Sequence, residues 1–392
     1  MTKNFITGLD IGTNWIRLVV CEQKNGDKVP QVLALVKRQS KGLHRGYVIN
    51  LEEATECIRE ALDDAERIVR GRIRKVIVGI GGLSLESRMT EGGVVASRPD
   101  SEIADSDIGR AIEASEATLM NMANRQILHR IPLSFKLDNE KVLGRPEGLR
   151  GSKLEVKTLF ITAGTQHLRD LVRAVEEAGL IVEDLVASPF AASLAVMTKI
   201  QKMAGCILVN IGSETTSIAV FEEGLPLSIQ VFAIGSTDIT KDIALGFKIP
   251  IEEAEKVKKG EGEPIGTKKK LDEIIEARLS DIFDFIEIHL KKIKRSGLLP
   301  AGLIITGGGS SVANIEELAK EHFRLPAKTA QSAIATNSKS QIRDSAWSVS
   351  FGLCLFGTSE QEETSFGPRA TLKNTHKKIW AWLRELMPWV IG

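Results

Sequence analysis

One sequence pattern occurs twice, about two hundred residues apart, and limits the fold more than any other feature. The first copy, ITGLDIGTNWIRLVVCE (residues 6–22), is an apolar run, a glycine turn and a second run with apolar residues at alternate positions. The second copy, CILVNIGSETTSIAVFEEG (206–224), has the same plan. Apolar alternation on either side of a short glycine turn is typical of a β-hairpin. A hairpin repeated at domain spacing predicts two related halves.

Between and after the hairpins, the sequence predicts alternating strands and helices. With 392 residues the chain exceeds what one ordinary hydrophobic core supports, so we expect two domains. LEEATECIREALDDAERIVR (51–70) has the apolar spacing of a helix, and RKVIVGIGG (74–82) is typical of a buried strand. This order of elements predicts an α/β fold.

Residues 83–162 have a different pattern. DSDIGRAIEASEATLMNMAN (105–124) predicts a helix, and HRIPLSFKLDNEKVL (129–143) predicts two strands that turn at Asp138 and Asn139. The strand LEVKTLFITAG and the helix TQHLRDLVRAVEEAGL then resume the first domain. We therefore expect a small α+β subdomain inserted into the first domain.

Together these patterns divide the chain into named segments. The predicted segments are subdomain 1A at 1–82 and 163–202, the inserted subdomain 1C at 83–162, subdomain 2A at 203–235 and 299–357, the helical and charged subdomain 2B at 236–298, a flexible linker at 358–373 and an amphipathic helix at 374–392. The linker is assigned on composition, because TSEQEETSFGPRATLKN is polar and poor in apolar residues.

Composition and charge exclude several classes of protein. The 52 lysines and arginines nearly balance the 51 aspartates and glutamates, so no overall field attracts nucleic acid. The four cysteines lie far apart without CxxC spacing, which is typical of buried thiols in a reducing compartment. The N-terminus enters a strand pattern at once, which leaves no room for a signal peptide, and no run of about 20 apolar residues predicts a membrane span. We expect a cytoplasmic protein.

Three glycine turns, each after an apolar strand, predict a site for nucleotide phosphates. They are DIGTN (10–14), NIGSETT (210–216) and ITGGGS (305–310). Glycine lets the backbone approach a phosphate closely, and the N–H groups of such a turn point at its oxygens. Asp10 is placed to hold a hydrated Mg²⁺. One such turn alone would favour a structural glycine hairpin with a capping Asp, but three in this order favour phosphate binding.

The segment AEKVK (254–258) lies between the second and third turns. Glu255 and Lys258 are three residues apart and so share one face of a helix. Taken alone, the pair would be interpreted as a surface salt bridge. Beside the glycine turns it becomes a candidate contact to the nucleotide.

The order DIGT, NIGSETT, AExxK, TGGGS resembles the actin, Hsp70 and sugar kinase superfamily. Three further segments, SKGLHRGYVIN, ILHRIPLSFKLDNEKVLGRPEGLRGSKLEV and IGSTDITKDIA, are similar to the bacterial cell division proteins of the FtsA family. The resemblance runs from about Phe5 to Gly357 and reappears in the terminal amphipathic segment. It implies an actin-like ATPase fold, with two related ribonuclease H-like domains, an FtsA-type α+β insertion and a C-terminal amphipathic helix.

The resemblance also implies a function. FtsA-like proteins bind ATP with Mg²⁺ between their two halves and form actin-like filaments. They link the C-terminal tail of the tubulin-like protein FtsZ to the inner leaflet of the cell membrane. The chain would then be a peripheral protein at the division site that assembles with itself, with FtsZ and with other division proteins, and it would not bind nucleic acid.

Individual site residues follow from the same resemblance. Asp10 is the implied metal ligand and, together with Asn210, the candidate catalytic position. The residues implied to bind nucleotide are Gly12, Thr13, Asn14, Gly212, Ser213, Thr215, Thr216, Gly235, Glu255, Lys258, Gly307, Gly308, Gly309 and Ser310.

The second phosphate turn departs from the family pattern. The superfamily usually has Asp-(Ile/Leu)-Gly-Gly-Gly-Thr-Thr there, whereas this chain has Asn210 in place of the aspartate and loses two glycines. An amide cannot act as a base, and Glu214 would bring negative charge toward the phosphates unless it turns away or joins the metal. The hinge segment ASPFAAS (187–193) also offers no Glu or Gln to orient a water. We predict nucleotide binding with slow or absent hydrolysis.

A partner surface is expected on subdomain 2B. In FtsA-like proteins the acidic and apolar tail of FtsZ docks there, so a basic groove is required. The candidate residues for this groove are Arg278, Lys291, Lys292, Lys294 and Arg295. The alternative is a solvated helix end, because cations favour helix C-termini. Filament formation is implied by the resemblance alone.

The last segment, KKIWAWLRELMPWVIG, has three of the five tryptophans of the chain. On a helix its apolar residues lie on one side and its charged residues on the other, and Pro388 should kink or end the helix. The helix would be roughly 18 to 20 Å long, too short to span a bilayer. We expect it to lie on a membrane through Lys377, Lys378, Ile379, Trp380, Trp382, Leu383, Leu386, Met387 and Trp389. The alternative is a helix that docks on its own domain or a partner.

Three other functions fit the same scaffold. A PilM-like adaptor of a pilus or secretion system would share the insertion but would not need a membrane helix. A sugar or small-acid kinase would need a catalytic carboxylate, which Asn210 does not supply. A chaperone related to Hsp70 would need a substrate domain after its nucleotide-binding halves.

Overall fold

The computed structural model describes residues 5–23, 29–261, 266–330 and 344–361. The predicted terminal helix and nearly all of the predicted linker therefore lie outside the described residues. The predicted α/β class is confirmed.

The described residues form sixteen strands, ten α-helices and two short 3₁₀ turns. The strands are β1 (Phe5–Ile11), β2 (Trp15–Glu22), β3 (Gln31–Gln39), β4 (Leu43–His44), β5 (Tyr47–Val48), β6 (Lys75–Ile80), β7 (Glu86–Val95), β8 (Arg125–Leu137), β9 (Glu140–Val142), β10 (Lys153–Gly164), β11 (Ile181–Ala187), β12 (Cys206–Ile211), β13 (Thr216–Glu222), β14 (Leu225–Phe232), β15 (Leu303–Thr306) and β16 (Ala327–Thr329). The helices are α1 (Leu51–Val69), α2 (Asp105–Ala117), α3 (Thr165–Glu177), α4 (Ser188–Val196), α5 (Lys199–Ala204), α6 (Ser236–Phe247), α7 (Ile251–Lys258), α8 (Lys268–Lys292), α9 (Ile315–Phe323) and α10 (Ser348–Gln361). The 3₁₀ turns are Gly308–Ser311 and Ser345–Trp347.

The two predicted hairpins begin two sheets of the same topology. In the first sheet the order is β3-β2-β1-β6-β11, with an antiparallel meander of three strands followed by two parallel strands. In the second, β14-β13-β12-β15-β16 repeats this order and these directions. The duplication seen in the sequence is therefore a duplication of a whole sheet. It gives the two related halves of an actin-like fold.

The insertion extends the second sheet. Its strands β7, β10, β8 and β9 continue from β14 through a single residue pair, Gln230 with Glu86, so the combined sheet has nine strands. The expectation that LEVKTLFITAG resumes the first domain was wrong, because β10 pairs with β7 and β8 of the insertion. The turn at Asp138 and Asn139 has φ values of +51° and +72°, which fits the predicted tight hairpin. Helix α2 ends at Ala117, seven residues before the predicted end at residue 124. Left-handed backbone at Asn121 and Asn124 interrupts the helical pattern there.

Two central helices join the halves. Helices α4 and α10 cross so closely that a Cβ atom on Gly352 would lie 1.9 Å from the carbonyl oxygen of Ala191. Helix α10 also lies against β1, where a Cβ on Gly8 would be 2.2 Å from the carbonyl oxygen of Ser350. Only glycine permits these approaches. The resulting core includes Leu9 and Phe190 of the first half and Leu208 of the second.

All four cysteines are free and buried, as predicted. Within the described part of the chain, no helix combines the length and the hydrophobicity that crossing a membrane requires.

Candidate functional site

The two hairpins close with the same turn. Gly12 donates its backbone N–H to the carbonyl oxygen of Trp15 at 3.1 Å, and Gly212 donates to that of Thr215 at 2.9 Å. A Cβ on either glycine would lie 2.9 Å from the same carbonyl oxygen, closer than carbon normally comes. Each turn therefore requires glycine, and the duplication is preserved at the level of single hydrogen bonds.

These turns meet across a cavity of about 610 Å³ between the halves. This volume lies within the roughly 300–1,000 Å³ typical of small-molecule sites. The third predicted turn, which begins at Gly307 with φ +89°, closes the cavity on a third side. The predicted site residues that line it are Asp10, Gly12, Thr13, Asn14, Asn210, Gly212, Ser213, Thr215, Glu255, Lys258, Gly307, Gly308 and Ser310.

Three predicted residues lie behind the cavity wall instead. Thr216 is buried, and its hydroxyl donates to the carbonyl oxygen of Ile234 at 2.8 Å. A Cβ on Gly235 would lie 2.5 Å from the carbonyl oxygen of Ser213, and one on Gly309 would lie 2.5 Å from the side chain of Ile211. These residues support the turns from behind and do not line the space that a nucleotide would fill.

Asp10 is held in an unusual electrostatic environment. Burial raises its pKa from 3.8 to about 6, and the positive charge of Arg17 partly opposes this rise. Arg17 stands opposite Asp10 in the hairpin register, with Nη1 4.0 Å from Oδ2. Its buried Nε has no hydrogen-bond acceptor among the described residues. A carboxylate and a guanidinium with free bonding capacity thus face the cavity together.

Sequence reasoning missed Arg17 as a site residue. The signal was present, because Arg17 is the one charged residue in the otherwise apolar run WIRLVVC. Lys37 of the neighbouring strand β3 also lines the cavity and was missed. The proximity of charges on neighbouring strands can be predicted only when the order of the strands in the sheet is known.

Glu255 and Lys258 lie on one face of helix α7 and line the cavity. Lys258 Nζ is 2.7 Å from Glu255 Oε2, and it donates to Thr240 Oγ1 at 2.8 Å and to the carbonyl oxygen of Ser236 at 3.1 Å. The Lys258 side chain is only 7% exposed. The pair is an ion pair, but one that forms part of the cavity wall.

The lining fits a magnesium-bound polyphosphate. The backbone N–H groups of Thr13, Asn14 and Ser213 have no acceptor within the described ranges, and Arg17, Lys37 and Lys258 supply positive charge. The same ranges hold no cluster of three or more side chains that could bind a metal. Mg²⁺ on nucleotides usually takes one or two carboxylates, water and phosphate oxygens, so Asp10 alone is sufficient on the protein side.

Asn210 and the hinge helix α4 supply no base for hydrolysis. The Oδ1 of Asn210 would lie 2.3 Å from a Cβ on Gly307, so the amide packs against the third turn. On the hinge side, Ser188 at the start of α4 lines the cavity, and that helix has the sequence SPFAASLAV without a carboxylate or carboxamide. Slow or absent hydrolysis stays a prediction.

The predicted basic groove has two arginines in ion pairs. Arg278 donates to Asp242 through Nε at 2.6 Å and Nη2 at 3.0 Å. Arg295 donates through Nε and Nη2 to one oxygen of Glu222, Oε2, at 3.0 and 2.8 Å. Lys291 pairs more weakly with Glu287, at 3.6 Å. Lys292 and Lys294 are exposed and have no acidic partner within the described part of the chain. The predicted membrane residues, Lys377 to Trp389, lie outside it.

Comparison with known proteins identifies the family. A family model of cell division protein FtsA matches residues 207–352, and a model of the SHS2 domain inserted in FtsA matches residues 82–162. Cell division protein FtsA of Pseudomonas aeruginosa is 30% identical over 380 residues, which cover 91% of this chain and 90% of that protein.

Two solved structures show the same fold. The PilM–PilN type IV pilus biogenesis complex matches with a TM-score of 0.67 at 20% identity, over 91% of this chain and 99% of that chain. MreB5 of Spiroplasma citri bound to ADP matches with a TM-score of 0.55 at 14% identity, over 93% of this chain and 99% of that chain. At such identities the likeness shows the fold alone, whereas the curated relative shows the family. The chain belongs to the FtsA family of cell division proteins.

Proposed function

We propose that this division protein binds Mg²⁺-ATP in the cavity between its halves. The observation that supports this most is the pair of equivalent glycine turns, Gly12 and Gly212, which face each other across a space lined by Asp10 and Arg17. The turn amides and Arg17 would bind the phosphates, and Asp10 would hold the hydrated metal. Bound Mg²⁺ would neutralise phosphate charge. Glu255 and Lys258 would contact the ribose or base.

With nucleotide bound, the protein would assemble into actin-like filaments on the inner leaflet of the cell membrane and tether FtsZ there. Membership of the FtsA family supports this proposal, as does the amphipathic pattern of residues 374–392. On subdomain 2B, the exposed Lys292 and Lys294 are the cations best available to an acidic FtsZ tail, since Arg278 and Arg295 are paired. We also propose that the chain is divided into subdomains 1A, 1C, 2A and 2B, a linker and an amphipathic helix, with the bounds given above.

The other functions are less well supported. The PilM-like adaptor shares the fold at 20% identity, but the curated relative that spans 91% of the chain is a division protein. A kinase would need a carboxylate near the γ-phosphate, and Asn210 occupies the place where the superfamily has one.

Binding and turnover measured on one preparation test the nucleotide proposal. We expect saturable binding of Mg²⁺-ATP, with turnover far below the roughly 1–100 s⁻¹ of kinases, because neither Asn210 nor helix α4 supplies a carboxylate to activate water. Arg17→Ala should weaken binding about tenfold or more through the loss of charged hydrogen bonds. Lys292→Ala, which removes an exposed cation far from the cavity, is the matched control. A saturable ATPase of ordinary turnover that Asp10→Ala abolishes would contradict the predicted slow hydrolysis.

A further inference from the structure

The carboxylate of Glu214 points away from the cavity and toward the other half of the molecule. Its Oε2 accepts a hydrogen bond from the backbone N–H of Arg45 at 2.6 Å and lies 3.2 Å from Nδ1 of His44. Both partners belong to the first half, and Arg45 is 169 residues away in sequence. The glutamate that departs from the family pattern therefore makes a contact between the halves and does not line the cavity.

The loop that contacts Glu214 also contacts the first phosphate turn. This crossing loop, residues 42–48, contains β4 and β5 and lies between strand β3 and helix α1 in the chain. Gly46 in the loop donates its backbone N–H to Thr13 Oγ1 at 3.1 Å. One short loop is thus bonded to both phosphate turns.

The crossing loop is firmly held in the first half. A Cβ on Gly46 would lie 2.6 Å from the Cα of Gly82, so the two backbones are in direct contact. The ring of Tyr47 packs on His167 with centroids 4.7 Å apart. Arg45 has φ +49°, a conformation that costs energy for a residue with a side chain and persists where the surroundings enforce it. The loop can therefore serve as a fixed support.

We propose that Glu214 is a positioning residue for the nucleotide site. By bonding the second turn to a loop that also holds Thr13, it fixes the separation of the two turns before nucleotide binds. A preorganised site loses less free energy to ordering, and most differences of affinity among variants of one site appear in the dissociation rate. This inference rests on the proposed nucleotide site and adds the residue that holds the site together.

The dissociation rate of a fluorescent ATP analogue, measured with Mg²⁺ by stopped-flow chase, tests the proposal. Glu214→Ala should speed dissociation about fivefold to tenfold, since it removes a hydrogen bond with a charged acceptor. Glu214→Gln should dissociate more slowly than Glu214→Ala, because its amide oxygen still accepts a hydrogen bond from the Arg45 N–H. Both variants should lower the thermal midpoint of the nucleotide-free protein by no more than about 4 °C, since the lost contact is a single one and Glu214 and His44 are 25% and 57% exposed.

Glu223→Ala is the matched control, because Glu223 is an exposed glutamate in the turn that follows β13, whereas Glu214 lies in the turn that precedes it. Rapid dissociation in Glu214→Ala alone, with partial rescue by Glu214→Gln, would support the proposal. Equal rates in Glu214→Ala, Glu223→Ala and wild type would overturn it while leaving the nucleotide site intact. If the wild type bound no nucleotide at all, the proposed function and the inference would both be wrong.

Discussion

Replacing Asp10 with asparagine is expected to stabilise the nucleotide-free protein at neutral pH and to weaken Mg²⁺-ATP binding at least tenfold. Burial raises the pKa of Asp10 from 3.8 to about 6, so at pH 7 the folded chain holds a carboxylate that would be better solvated in the unfolded chain. A shift of about two pKa units corresponds to up to about 3 kcal/mol of stability. The asparagine avoids this cost but loses the charge that holds the metal.

Because the pKa of Asp10 is raised in the folded chain, the stabilisation by Asp10→Asn should depend on pH. Below the unfolded pKa of 3.8 the carboxyl group is protonated in both states, so Asp10→Asn should change little. The stabilisation should grow as the pH rises through the interval from 3.8 to about 6 and stay constant above it. Urea denaturation of both proteins without Mg²⁺ across this range measures it. Asp63→Asn, at an exposed position on α1, is the control and should stay within about 0.5 kcal/mol. Equal stabilities of Asp10→Asn and wild type at pH 7.5 would contradict the account of Asp10.

Trp380→Glu combined with Leu383→Glu is expected to abolish binding to anionic vesicles and leave the fold intact. Both residues lie outside the described part of the chain, so the prediction comes from sequence. At about 100° per residue both fall on the apolar side of the predicted helix, about 60° apart, with Leu383 nearer its centre and Trp380 nearer the charged side. Each large apolar side chain contributes about 1.5–3 kcal/mol on leaving water, so losing two should weaken binding more than about a hundredfold.

Vesicle sedimentation with wild type and variant measures this loss. Thr364→Glu with Ser365→Glu adds the same two negative charges in the predicted polar linker and removes no large apolar group. The linker variant should still bind vesicles. Undiminished binding of the Trp380 and Leu383 variant would show that another surface contacts the lipid.

Local sequence patterns predicted much of this fold. The hairpins follow from apolar alternation around glycine, and helix α1 follows from the amphipathic spacing of residues 51–70; in the structure Asn50 and Arg70 cap it. The turn at Asp138 was likewise predicted from residues next to it in the sequence. Such features depend on neighbours within a few residues, and the sequence shows those neighbours directly.

Features that depend on distant residues were missed. The junction of the insertion with the second sheet is a single pair, Gln230 with Glu86, and no sequence pattern marks it. The neutralisation of Arg278 by Asp242 needs two helices to pack, and the contact of Glu214 with Arg45 spans the two halves. Arg17 could have been found, because a charge within an apolar strand next to a phosphate turn is unusual.

Electron microscopy of the purified full chain on anionic vesicles, with Mg²⁺-ATP and separately with Mg²⁺-ADP, tests the central claim most directly. If a nucleotide-bound, membrane-attached polymer is the working state, filaments should lie on the lipid surface with ATP, since many weak anchors on one filament bind together. They should be absent from vesicles mixed with the Trp380→Glu and Leu383→Glu variant. Soluble monomers under every nucleotide condition would contradict the account.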